Sequence, residues 1–105
     1  MTEAQEKTKN AKDDFVVFIG SKPFMNYVTG VVMQFTTQNA KEVVIKARGK
    51  FISRAVDVSE VASKRFLEGQ IKTKEIRIDS EEFENKEGKQ VRVSTIEIEL
   101  AKIIN

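Results

Sequence analysis

The chain has neither cysteine nor histidine. Without cysteine there is no disulfide framework, no thiolate zinc site and no thiol nucleophile. Without histidine the commonest general base and the commonest soft-metal ligand are missing. Carboxylates remain as ligands for a hard cation, but no stretch has the spacing of a calcium loop, and neither a metal nor a cofactor is expected. The glycine-containing stretches "GSKP" (Gly20–Pro23) and "ARGK" (Ala47–Lys50) lack the Walker spacing of a phosphate loop. No apolar run approaches the ~20 residues of a membrane span. The opening "MTEAQEKTKNAKDD" has no apolar core of a secretory signal, so a cytoplasmic protein without membrane contact is expected.

What is present is a chain of 105 residues, enough for one domain with its own core. The net charge of +2 is small, but its distribution is not even. Residues 41–54 carry five cations against the single acid Glu42, while every other segment stays within one charge of neutral. A local field of this kind attracts anions more than the total charge suggests. The same segment, "IKARGKFISRAVD" (Ile45–Asp57), also threads Ile45, Ala47, Phe51, Ile52, Ala55 and Val56 between its charges.

Residues 1–14 are polar and charged, too poor in apolar groups to fold, and read as a disordered tail before a domain spanning 15–105. "FVVFIG" (Phe15–Gly20) is a short continuous apolar run, expected as a strand buried on both faces. Pro23 then opens a helix, where its missing N–H costs nothing. Phe24, Val28, Val31, Val32 and Phe35 form one stripe along that helix. "KEVVIKAR" (Lys41–Arg48) is a second strand, with Val43, Ile45 and Ala47 on one face and Val44, Lys46 and Arg48 on the other. After Gly49 a second helix runs from about Phe51 to Phe66. Its main stripe is Ile52, Ala55, Val56, Ala62 and Phe66, interleaved with Ser59 and Ser63. Val58 and Val61 form a narrower second strip, which requires either a second packing partner, such as another copy of the chain, or full cover by this chain itself.

The remainder is a β-hairpin. "NKEG" followed by Lys89 suits a three-residue loop, Lys86–Gly88, with Gly88 in a left-handed conformation. Centring the turn on Glu87 pairs Ile76 with Ile98, Ile78 with Ile96, and Phe83 with Val91. The apolar positions are even near the base (76, 78, 96, 98, 100) and odd toward the tip (83, 91, 93), so the outer half does not continue the core face. The expectation is a base packed on the domain and an arm projecting beyond it; a bulge near Asp79–Glu82 explains the phase change equally well. The order β-α-β-α-β-β gives an α/β (α+β) two-layer sandwich: two helices on one face of a four-stranded mixed sheet, with a projecting hairpin arm.

Without histidine or cysteine, catalysis would need a Ser–Lys pair, paired carboxylates or a metal. Ser53 and Ser59 are explained by helix periodicity. Glu81, Glu82 and Glu84 read as a solvated edge that resists aggregation. The chemistry left is anion binding. Lys22 sits at the first strand-to-helix turn; Lys46 or Arg48 ends the second strand and Lys50 follows it. If the two strands are parallel neighbours, both turns lie at the C-terminal edge of the sheet, where ligands of open α/β sheets collect and helix N-termini add a positive dipole end.

The stretches "VVFIGSKPFMNYV", "EVVIKARGKFISRAVDV", "RFL" and "VSTIEIEL" together closely resemble the Alba family of archaeal chromatin proteins, from Phe15 to Leu100. The resemblance implies a fold like the C-terminal domain of a bacterial translation initiation factor. It also implies a non-enzymatic homodimer that binds double-stranded DNA, and often RNA, with little sequence preference. The body contacts it implies are Lys22, Arg48, Lys50 and Arg54, with Asn26 and Tyr27 of "MNY" beside them; Lys46, near the end of the second strand, is a further candidate contact from its position. The arm contacts are Lys86, Lys89 and Arg92. Val58 and Val61 are expected at a contact between copies, and Phe66 matches a position where dimers pack side by side on DNA. One departure matters: Ser21 stands where family members often carry the first of two lysines, the one whose acetylation tunes affinity. Two other readings follow from the same residues, an RNA-centred role and a heterodimer with a paralogue.

Overall fold

The structure is a computed structural model and describes residues 15–104. The expected tail, residues 1–14, lies outside the described residues. The elements are β1 (Val16–Phe18), α1 (Phe24–Thr36), β2 (Glu42–Arg48), a 3₁₀ turn (Gly49–Phe51), α2 (Ile52–Val61), a π-helical turn (Ala62–Phe66), β3 (Ile71–Glu84) and β4 (Gln90–Lys102). The sheet order is β1-β2-β4-β3. β1 runs parallel to β2, and the other neighbours are antiparallel. The expected order and mixed sheet are therefore present, and β1 and β2 end at the same edge.

The core lies between the helices and one face of the sheet. Val43, Ile45 and Ala47 of β2 stand opposite Leu100, Ile98 and Ile96 of β4, and all six are buried. Val28, Val31 and Phe35 of α1 close over them, with Ala55, Val58 and Ala62 from the second helical segment. Ala55, Ala62 and the buried Ser59 and Ser63 keep that segment's inner face small, so its backbone lies near its neighbours. Ser63 Oγ donates to the Ser59 carbonyl at 2.7 Å and Ser59 Oγ to that of Val56 at 2.9 Å, so neither buried hydroxyl is unsatisfied.

Four expectations are corrected. β1 is not buried on both faces: it is an edge strand, and alternation turns Phe18 to the helix-free face, 69% exposed. Val58 is wholly buried in this chain's own core, so it cannot be a contact between copies. Val56 and Phe66, expected on the inner stripe, are exposed, because the buried arc is centred on Ala55, Val58, Ser59 and Ala62. No register break occurs at Asp79–Glu82: the ladder runs unbroken from Glu75–Glu99 to Glu84–Gln90, and the one irregularity falls between Thr73 and Glu75.

The hairpin register matches the expectation at Ile76–Ile98, Ile78–Ile96 and Phe83–Val91. Gly88 has φ 83°, and the tip is closed by Asn85, whose Oδ1 accepts the N–H groups of Glu87 and Lys89, each at 2.9 Å. β2 ends at Arg48 opposite Thr95, so five further rungs of the hairpin extend beyond it. At ~3.4 Å per residue the arm projects roughly 17 Å past the sheet edge. Ile96 and Ile98 are buried as expected of the base, but their partners Ile78 and Ile76 are 79% and 57% exposed. They lie on the helix-bearing face of β3, the outermost strand, beyond the cover of the helices.

Candidate nucleic-acid interface

At the C-terminal edge of β1 and β2 two short loops meet. The first, Gly20–Pro23, is held by a side chain from α1: the Tyr27 hydroxyl oxygen accepts the N–H groups of Gly20 and Lys22, each at 3.0 Å. A Cβ on residue 20 would sit 3.3 Å from that hydroxyl, so glycine leaves Tyr27 room to reach the loop. The second loop, Gly49–Phe51, leads into α2. Arg54, in the first turn of α2, spans the gap. Its Nη2 donates to the Lys22 carbonyl at 2.9 Å, and its guanidinium lies 5.8 Å from the Tyr27 ring centroid. Lys22 is thus carried on a loop tied at both ends to folded elements.

Lys22, Ser21 and Asn26 are exposed, as are Arg48 and Lys50 on either side of Gly49. Neither α1 nor α2 has a side-chain cap or an acid in its first turn. The positive dipole ends of α1 and of the helical run that begins at Gly49 therefore face this edge, while the Asn26 N–H donates to the Pro23 carbonyl at 3.0 Å and the Ile52 N–H to that of Gly49. Tyr27, expected beside the contacts, is buried, and its role is to position the Lys22 loop.

Lys46 and Arg48 both point to the helix-free face of the sheet. The Lys46 ammonium pairs with Glu97 at 3.4 Å and lies 5.8 Å from the Phe18 ring centroid. Arg48 pairs with Glu81 of the arm at 3.1 Å and lies 5.7 Å from the Phe83 ring centroid. Lys86 and Lys89 are exposed at the arm tip, and Arg92 is exposed but paired across the strands with Glu82. Phe66, half exposed, and Val61, partly buried against the core, lie on the C-terminal part of the second helical segment.

Further from the edge, the same face carries an ion-pair network. Arg77 contacts Glu75 at 3.1 Å, Glu97 at 2.9 Å and the wholly buried Glu99 at 3.3 Å, and Lys74 lies 3.9 Å from Glu99. The hydrogen bond from Arg77 holds the Glu97 carboxyl below its ordinary value of 4.5, and Lys46 adds to the effect. The carboxylates, Glu97 first, push the Arg77 guanidinium further up, so it stays charged.

The structure brings Lys22, Lys50 and Arg54 together at one edge, sets Arg48 at its corner, and sends Lys86, Lys89 and Arg92 out beyond the same edge on the arm. Sequence reasoning missed three participants. Phe18 was read as buried, and only sheet order makes it an edge residue. Phe83 was paired correctly but not assigned to Arg48. Asn85 was passed over, although asparagine three residues before a left-handed glycine is a recognisable turn signal.

The sequence model of the Alba family matches residues 16–80. The DNA/RNA-binding protein Alba of Methanococcus maripaludis is 51% identical over 89 residues, which cover 85% of this chain and 99% of that protein. The DNA/RNA-binding protein Alba of Nanoarchaeum equitans is 61% identical over 87 residues, covering 82% and 96% respectively. Among solved structures, Alba from Thermoplasma volcanium superposes with a TM-score of 0.74 at 48% identity, covering 82% of this chain and 98% of that one. This chain belongs to the Alba family.

Proposed function

We propose that this protein binds double-stranded DNA, and RNA, largely without regard to sequence, as a non-enzymatic architectural protein of the chromosome in the cytoplasm. The observation that carries the reading is the joined cationic edge. The Arg54–Lys22 hydrogen bond joins the two loops of the rim, Lys50 stands on the second of them, and the arm with Lys86 and Lys89 leaves from the same edge. Two uncapped helix N-termini face the same way. These groups suit phosphates, which carry no sequence information, rather than base edges. The relatives' name, DNA/RNA-binding protein Alba, supports the same reading and includes both nucleic acids.

The working unit is a homodimer. Ile76 and Ile78 form an apolar patch on the helix-bearing face of β3. Ile52 and the exposed Val56 sit about 160° round the helix from Arg54, whose flank faces α1, and so on the flank toward that patch. A second copy would cover this surface and place two cationic rims on one assembly. A paralogue with the same patch would fit equally, which favours a heterodimer as the second reading.

The test is a salt titration of binding to unrelated DNA duplexes and to RNA. Binding should weaken steeply with salt, and Lys50→Ala should reduce the log–log salt slope by about one on every sequence. A loss confined to one sequence would replace this account with base readout.

A further inference from the structure

Phe18 has no part in the rim just described, yet its environment is specific. It lies on β1, the edge strand, and the register sets it beside Lys46 of β2 and, one strand further, Glu97 of β4, all on the helix-free face. A phenylalanine left 69% exposed gives up much of the ~1.5–3 kcal/mol that burying such a ring supplies, so folding of the single chain does not account for it. Beside it is a groove of about 570 Å³, lined among others by Phe18, Lys46, Arg48, Phe51, Val93 and Thr95. That volume lies within the range of pockets that hold small organic ligands of nucleoside size.

The groove's chemistry is an aromatic platform with cations at its margin. Lys46 stands 5.8 Å from the Phe18 ring, and at the far side Arg48 stands 5.7 Å from Phe83, so the face presents an aromatic, two cations and a second aromatic in turn. Alternation of flat rings and cations is the pattern that single strands use, with bases on the rings and phosphates on the cations. Charge argues in the same direction. Glu97 and Glu81 balance Lys46 and Arg48, so the Phe18 side of the groove has a weaker field for the two phosphate rows of a duplex than the rim side, where Lys50 lies. Both pairs are at least a third exposed and worth ~0–1 kcal/mol, so a phosphate can exchange with either carboxylate. A duplex keeps its bases stacked inside and offers nothing to Phe18.

We infer that the groove beside Phe18 is a base-stacking subsite for single-stranded nucleic acid, with Phe18 as the platform and Lys46 and Arg48 as phosphate partners. This rests on the reading of the protein as a nucleic-acid binder; the subsite adjoins the rim, with Lys50 lining the groove and Arg48 at the corner the two share, and differs from it in using the Phe18 ring.

The chain contains no tryptophan, so Phe18→Trp places a single indole at the groove. Titration with oligo-dT and oligo-U should quench its fluorescence, and a duplex of matching length should not. Phe18→Ala should weaken oligo-dT and oligo-U binding about fivefold or more and leave duplex affinity within about twofold. Phe18→Leu keeps an apolar residue on the edge strand and should lose single-strand affinity in the same way, which separates stacking from misfolding. Equal losses on duplex and single strands, or no loss on single strands, would overturn the subsite. So would a change of oligomeric state in Phe18→Ala, which would assign the ring to a contact between copies. Failure of the wild type to bind duplex at all would count against the proposed function itself, and is read in the same titration.

Discussion

Tyr27 shows how much of this interface depends on one atom. Its hydroxyl oxygen accepts two backbone N–H groups and thereby holds the loop that carries Lys22. Tyr27→Phe keeps the buried ring but leaves both donors without this partner. The expected cost is about 1–2 kcal/mol of stability, measured by urea unfolding, together with weaker duplex binding as the Lys22 loop loosens. A second residue-scale prediction concerns acid. The Glu97 carboxyl sits below its ordinary value in the folded chain, chiefly through Arg77. The folded protein therefore holds fewer protons there than the unfolded one. The stabilisation is complete above the unfolded value of 4.5 and disappears as pH falls through the lower folded value. Glu97→Gln should lose less stability than the wild type between pH 4.5 and stronger acid, as followed by thermal unfolding across that range. The identity of the rim cations was legible in the sequence because charge cluster, turn glycines and strand alternation agree. The burial of Tyr27 was not, because nothing local says that its hydroxyl reaches back across seven residues.

At the scale of elements, the hairpin was the most readable part. Alternation and a single glycine fix its register, and Gly88 at φ 83° occupies the position the turn demands. Gly88→Val forces a branched side chain into that conformation, at a cost of about 1–2 kcal/mol. The outer rungs, roughly 82 to 92, should exchange amide protons about fivefold faster or more, while Ile98 and Leu100 in the core keep their protection. The phase change along the hairpin also has a physical reason. Its base buries the even residues of β4 against the helices. Past the end of β2 there is nothing left to cover that face, and the odd residues Phe83 and Val93 find cover on the other side, near Arg48 and Gly49. No bulge is needed there. The second helical segment was less readable, because two apolar strips are compatible with two different buried arcs. The structure chose the one that encloses Val58.

For the whole molecule, the exposed Ile76 and Ile78, like Phe18, are not explained by the packing of a single chain. Under the homodimer reading, Ile78→Glu should shift sedimentation equilibrium from dimer toward monomer, weakening self-association about tenfold or more. Duplex affinity should fall with it, because two rims would no longer act together. A variant that stays dimeric would place the interface elsewhere.

The sequence alone determined the element order, the hairpin register and the family, because these rest on periodicity, turn chemistry and contiguous motifs, all local properties. Only the tertiary structure decided which residues stand at an edge. Sheet order leaves Phe18 uncovered on β1 and Ile76 and Ile78 uncovered on β3. An apolar residue is buried or exposed according to what packs against it, and its neighbours along the chain do not carry that information.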